Sequence, residues 1–182
     1  LQQGVQSYIE VLENTEESEK ATSHTMVFFD SVCINDKASM TRLAQLSTRS
    51  INERKEYEED FYYLRILMDV FGENKTPDEV SDLLVQFEAL CNENPDDRFN
   101  LIKGLLEKDK EVFEEALGYL IDERMGTYAN ADLYSGKLEE SAVMAHVSTE
   151  VIAWLKLARH SGIKIFEGDY QLAPSSAINK LI

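Results

Sequence analysis

The chain predicts an all-α fold, a single domain built as an antiparallel helical bundle with a short extended segment near its C-terminus. Three observations carry this expectation. Apolar residues recur mostly three and four positions apart, the spacing that lines one face of a helix. Only three prolines and eight glycines interrupt 182 residues. A hydrophobic share of 43% at this length supplies one sizeable core, and one domain is the default.

Val5, Tyr8, Ile9 and Leu12 share a helical face, and this first helix is expected to end near Asn14. Thr15 with Glu16, Glu17 and Glu19 reads as a cap and an acidic first turn. It would open a second helix carrying Met26, Val27, Phe28, Phe29, Val32 and Cys33. Phe28 and Phe29 are adjacent, so one of them must meet a second neighbour. Ala38, Leu43, Ala44 and Leu46 allow another helix between Ile34 and Ser50. From Asn52 to Asp60 the chain is highly charged, a solvated helix start, and Tyr57, Phe61, Leu64, Met68 and Phe71 then keep helical spacing until Gly72 stops it.

Thr76-Pro77-Asp78-Glu79 is the best helix start in the chain. Thr76 caps, Pro77 has the backbone angle of a first helical residue, and Glu79 reaches back to close a capping box. Val80, Leu83, Leu84, Phe87, Leu90 and Cys91 follow as an apolar stripe, in which Cys91 reads as a small core residue rather than a nucleophile. Asn94-Pro95-Asp96-Asp97 repeats the start signal before Phe99, Ile102, Leu105 and Leu106. Lys108-Asp109-Lys110 is a polar link, and Val112, Phe113, Ala116, Leu117, Leu120 and Ile121 form the next helix, with Gly126 its expected stop. Links this short favour antiparallel neighbours.

Residues 126 to 137 are the longest candidate loop. Tyr128 and Tyr134 in it either present flat amphipathic rings to a partner or pin the loop to the core. Leu138 to Ala145 is expected to be helical. The stretch from His146 to Pro174 organises the rest: Ser148 or Thr149 caps a helix, Val151, Trp154, Leu155 and Ala158 give its core face, and Gly162 with Ile163 ends it as a Schellman stop. Trp154 is the single tryptophan, and the earlier helices are expected to pack around it. A short extended run and a tail closing on Leu181 and Ile182 follow.

Charge is the strongest compositional signal. Thirty-four acids against eighteen bases give a formal net charge of −16, which disfavours nucleic acid and anionic lipid and attracts basic partners. Fifteen acids and six bases fall between Glu73 and Arg124, whereas the two signs nearly cancel from Met125 onward. Two accounts of this field stand side by side, a solubilising surface and a dedicated cation-seeking face.

Cys33 and Cys91 belong to no paired spacing, so reduced thiols in a cytoplasmic protein are expected. No apolar run approaches the roughly 20 residues that span a bilayer, and no secretory signal is present, so the chain reads as soluble. It begins at Leu1 rather than a methionine, as expected where native residues precede it. The search for chemistry finds little. His24, His146 and His160 lie in different settings, and no metal-cage spacing occurs. His146 and Glu150 share a helix face, but two ligands do not make a site. No glycine-rich phosphate loop and no nucleophile elbow occurs, so no catalysis, cofactor or metal is expected.

The last third carries a resemblance. Phe113 to Arg124 (Phe-Glu-Glu-Ala-Leu-Gly-Tyr-Leu-Ile-Asp-Glu-Arg), Ser148-Thr149-Glu150-Val151, Leu157-Ala158-Arg159-His160-Ser161-Gly162-Ile163 and Pro174 look like the all-α immunity proteins of bacterial polymorphic toxin systems. The match is strongest over residues 113–182. It implies a non-enzymatic protein, encoded beside a toxin, that neutralises that toxin by binding it. With the acidic field it leads to an immunity protein expected to occlude the active site of a basic toxin, such as a nuclease, using carboxylates. The candidate contacts are Asp78, Glu79, Asp82, Glu88, Asp96, Asp97, Glu111, Glu114 and Glu115, with Tyr128 and Tyr134. The alternatives are a helical adaptor or chaperone with an exposed apolar groove, and a metal-dependent helical enzyme using His146, Glu150 and another carboxylate.

Overall fold

The computed structural model describes residues 1–93, 95–131 and 146–179, the last four positions of the middle stretch by backbone alone. Among these residues the fold is all-α, with no strand and a single isolated bridge, Tyr170 with Ala173. Nine α-helices run in order: α1 Gln2–Asn14, α2 Val27–Cys33, α3 Lys37–Leu46, α4 Glu58–Leu67, α5 Ser81–Glu93, α6 Asp97–Glu107, α7 Lys110–Ala131, α8 Thr149–Ser161 and α9 Ser175–Asn179.

The centre is α8, which packs on α2, α6, α7 and α9. Val151, Trp154, Leu155 and Ala158 are all fully buried, as their helical spacing predicts. The Ser148 side chain accepts from the Val151 N–H and caps the helix. At the other end Gly162 adopts a left-handed φ of 89°, and the Ile163 N–H reaches back to the Ala158 carbonyl at 2.9 Å. Burying the Trp154 ring contributes roughly 1.5–3 kcal/mol or more. It packs against Tyr63 at 6.0 Å and Phe113 at 6.2 Å between ring centres, tying α4 and α7 to α8.

The first helix buries Val5, Ile9 and Leu12 and ends at Asn14. Thr15 does not open the second helix: it closes the first, its hydroxyl donating to the Val11 carbonyl. Two 3-10 turns, Glu17–Glu19 and Thr22–His24, carry the chain to α2 instead. Backbone groups of this stretch are bound elsewhere, the Ser23 N–H donating to Glu56 and the Ser18 and Lys20 carbonyls accepting from Asn52, so no continuous α-helical ladder forms there. Phe28 and Phe29 are both buried, and Phe29 meets the second neighbour, Tyr63, at 5.9 Å.

Residues 52–57 precede α4 rather than joining it, because the buried Glu56 carboxylate accepts from the Ser23 and Asn52 N–H groups and closes a loop. Tyr57 consequently stands exposed at the cap of α4. A π-helical turn, Met68–Gly72, ends that helix. Gly72 is needed there because a Cβ would meet Met40 O at 2.9 Å and Ala44 Cβ at 2.7 Å.

The capping box forms at Thr76, where Glu79 accepts from the Thr76 N–H and hydroxyl, each at 2.8 Å. The stripe behind it is less buried than its spacing predicts. Within α5 only Phe87 is buried; Leu83, Leu84, Leu90 and Cys91 are half-covered, since α5 packs on α4 and α6 and then meets solvent. Asp96 caps α6. A link through Lys108, left-handed at φ 60°, folds α7 back along α6.

Gly126 does not stop α7, which continues to Ala131. The residue stays out of the left-handed region, and glycine without that conformation weakens a helix without ending it. The C-terminal run from Ile163 to Pro174 is irregular, and part of the tail beyond it, Ser175–Asn179, forms α9. Tyr134, the expected helix over Leu138–Ala145, Leu181 and Ile182 lie outside the described residues, as does the Tyr128 side chain. No helix among the described residues is long and apolar enough to cross a membrane.

Candidate partner-binding cleft

A cleft of about 700 Å³ opens where α4, the end of α5, the start of α6 and α7 converge. Helical spacing puts Asp60, Tyr63 and Leu64 of α4 on one wall and Tyr119, Leu120, Glu123 and Arg124 of α7 on another. Leu90, Cys91 and Glu93 come from α5, and Asp96, Asp97 and Arg98 from the cap and first turn of α6. Among the described residues, six carboxylates line the space (Glu59, Asp60, Glu93, Asp96, Asp97 and Glu123) against two arginines.

Both arginines are held by the protein itself. Arg98 bonds Asp96 at 2.6 Å and Asp60 at 2.7 Å, and its guanidinium lies 4.8 Å from the Tyr63 ring centre, a cation–π contact. Burial works against its charge, but the two carboxylates outweigh burial and push its pKa above the ordinary arginine value. Arg124 Nε donates to Glu150 Oε2 at 2.7 Å. Burial again opposes the charge, and the bond to Glu150 with its negative charge raises the pKa.

The floor is a chain of hydrogen bonds. Trp154 Nε1 donates to Tyr63 Oη at 2.8 Å, and Tyr63 Oη donates to Glu150 Oε1 at 2.7 Å. Burial first, and then the neighbouring Glu150 charge, push the Tyr63 hydroxyl well above its usual pKa, so it stays protonated as a donor. Each Glu150 oxygen thus has a donor, one from α4 and one from α7. The remaining acids are less engaged: Glu59, Glu93 and Asp97 form no ion pair among the described residues. Exposed Met26 and Tyr119 stand at the rim.

Of the nine acids singled out by sequence, Asp96 and Asp97 line this cleft. Glu88 lines a separate groove between α5 and α6. Asp78, Glu79, Asp82, Glu111, Glu114 and Glu115 line neither, standing at the start of α5 and on the first turns of α7. Glu79 is bound into its capping box, and the Thr76 N–H and hydroxyl hold its carboxyl below the usual range. Glu114 pairs with Lys110 at 3.5 Å. Sequence reasoning missed Glu59, Asp60, Glu93 and Glu123. The acidic first turn of α4 was visible but carries no signal of what it faces. Cys91 sits half-buried on the cleft wall, its thiol pushed up first by burial and then by the Asp96 charge, a poor nucleophile. His146 is exposed, while the oxygens of Glu150 are taken by Tyr63 and Arg124.

The fold is an all-α domain with an acidic recess whose floor is tied together by the Trp154–Tyr63–Glu150–Arg124 hydrogen bonds. The family model Immunity protein 49 matches residues 2–177, and the chain belongs to that family. Its role is immunity, a non-enzymatic one directed at a toxin. The match runs almost the full length of the chain rather than the last third alone. No curated protein and no solved structure matches the chain.

Proposed function

We propose that this protein neutralises its cognate toxin by binding it one-to-one and covering the toxin active site, and that the partner surface is basic. The observation that supports this most is the cleft: six carboxylates face two arginines that are already committed to internal partners. A recess so charged attracts Lys or Arg side chains of a nuclease-like toxin, whose own substrate would be a polyanion. The outer acids Asp78, Asp82, Glu88, Glu111 and Glu115 extend the same field and steer the approach, while Glu59, Glu93 and Asp97 make contact. Exposed Tyr119 and Met26 are residue types favoured at interface centres.

The test is calorimetric titration with the catalytically disabled toxin domain encoded beside this chain, at low and at physiological salt. Tight one-to-one binding that weakens with salt is expected. The combined variant Glu59→Gln, Glu93→Gln, Asp97→Asn should bind about tenfold or more weaker and show a shallower salt dependence. Unchanged binding by that variant would remove the cleft from the mechanism, and absence of binding at either salt would remove toxin binding itself.

A further inference from the structure

A second opening lies along the same helix pair. Leu84 and Val85 of α5 face Phe99 and Leu106 of α6 across a groove of about 270 Å³, bordered by Glu88, Glu107 and Lys103. Val85 is 65% exposed, and the other three apolar residues are half-buried. The volume falls below the roughly 300–1,000 Å³ of small-molecule pockets, so the groove suits side chains better than a metabolite. Its walls are two helices and it has no sheet edge to extend, which leaves helix-in-groove recognition as the fitting mode.

The border decides the charge of the occupant. Two carboxylates flank the apolar strip against one lysine, and Asp78, in the 3-10 turn Pro77–Val80 before α5, and Asp82, in its first turn, stand exposed. We infer that the α5–α6 groove docks an amphipathic helix of a partner protein, its apolar face seated on Leu84, Val85, Phe99 and Leu106 and its basic flanks meeting Glu88 and Glu107. This goes beyond the cleft and does not depend on it. The groove supplies a water-excluding apolar contact of its own, separate from the charge of the cleft.

The probe is a helical peptide of roughly eighteen residues, long enough to hold a helix, with leucine at i, i+3, i+4 and i+7 and lysine elsewhere. Its twin carries glutamate in place of lysine. Methyl NMR of the full chain should show the lysine peptide shifting Leu84, Val85 and Leu106, with the twin at least about tenfold weaker. Val85→Arg, at a mostly exposed position, should abolish those shifts. Val11→Arg, at a position 58% exposed on α1, should leave them intact. Lys103→Glu should tighten binding of the lysine peptide. Shifts at Leu90 and Leu120 instead, equal binding of both peptides, or sedimentation showing that Val85 mediates dimerisation of the chain would each overturn the proposal. None of these outcomes involves the toxin, so failure of the immunity titration is a separate result.

Discussion

Trp154 and Tyr63 are joined by one hydrogen bond of 2.8 Å, indole N–H to phenol oxygen, at a depth where both side chains are 0–1% exposed. That oxygen is acceptor for Trp154 and donor for Glu150 at once. Tyr63→Phe therefore leaves the indole N–H unpaired in the core. We expect a loss of about 1–3 kcal/mol in urea unfolding with an unchanged slope. An unchanged midpoint would mean that the indole N–H finds another acceptor.

Glu150 joins α4, α7 and α8 through Tyr63 and Arg124. Glu150→Ala leaves Arg124 only the exposed Glu123 carboxylate at 3.7 Å and leaves the Tyr63 hydroxyl without its acceptor, and should cost about 1–3 kcal/mol, whereas Glu150→Gln keeps the shape and costs less. A double-mutant cycle with Arg124→Met should give a coupling of about 0.5–3 kcal/mol. Additive losses would show that the pair contributes nothing beyond its separate packing.

Alkaline pH provides a test with a definite sign. Burial pushes the Cys33 thiol from 9.0 up to about 12, partly offset by the Lys156 charge. The folded state keeps a proton that the unfolded chain releases, so this contribution is fully present below pH 9 and is lost between 9 and 12. The slope is at most about 1.4 kcal/mol per pH unit. Tyr63, also raised, adds loss of the same sign above 10.0. Lys156, held below its usual value by burial, acts in the opposite direction just below 10.5. The discriminating comparison is therefore the parent against Cys33→Ala, whose stability should fall less steeply from pH 9 upward. Parallel curves for the two would contradict the burial of this thiol.

Two glycines on the α6–α7 hairpin should respond oppositely to alanine. A Cβ at Gly104 would meet the Phe113 backbone N at 2.7 Å and Cα at 2.9 Å, so Gly104→Ala must push α7 off α6. A loss of about 1–3 kcal/mol is expected. Gly118 is exposed on α7 with nothing within 4 Å, and Gly118→Ala should add roughly 0.5–1 kcal/mol through helix propensity. Thermal melts of the two variants on opposite sides of the parent are the expected result; Gly104→Ala at or above the parent would refute the close approach.

Much of the fold was legible because its signals are local. The Thr76 box, the Ser148 cap and the Gly162 stop each act within a few residues and are found where their residues lie, while the start signal at 94–97 opens its helix from Asp96. Thr15, Glu56 and Gly126 were misread because their structures depend on partners or on continuity that spacing does not encode. Thr15 turns back to Val11, Glu56 bonds Ser23 from 33 positions away, and Gly126 lies within a helix that continues past it. The cleft was hidden for the same reason. Glu59 and Glu123 look like ordinary solvated acids until α4 and α7 are placed on either side of Arg98.

Helix α5 borders both the acidic recess and the apolar groove, yet it commits only Phe87 to the interior. Substitutions at its exposed positions usually change stability by about 0.5 kcal/mol or less. On the contacts proposed above, the recognising surface is thereby uncoupled from the scaffold. A lineage pursued by a changing adversary could then revise its specificity on α5, residue by residue, while Trp154, Tyr63 and Glu150 stay as they are.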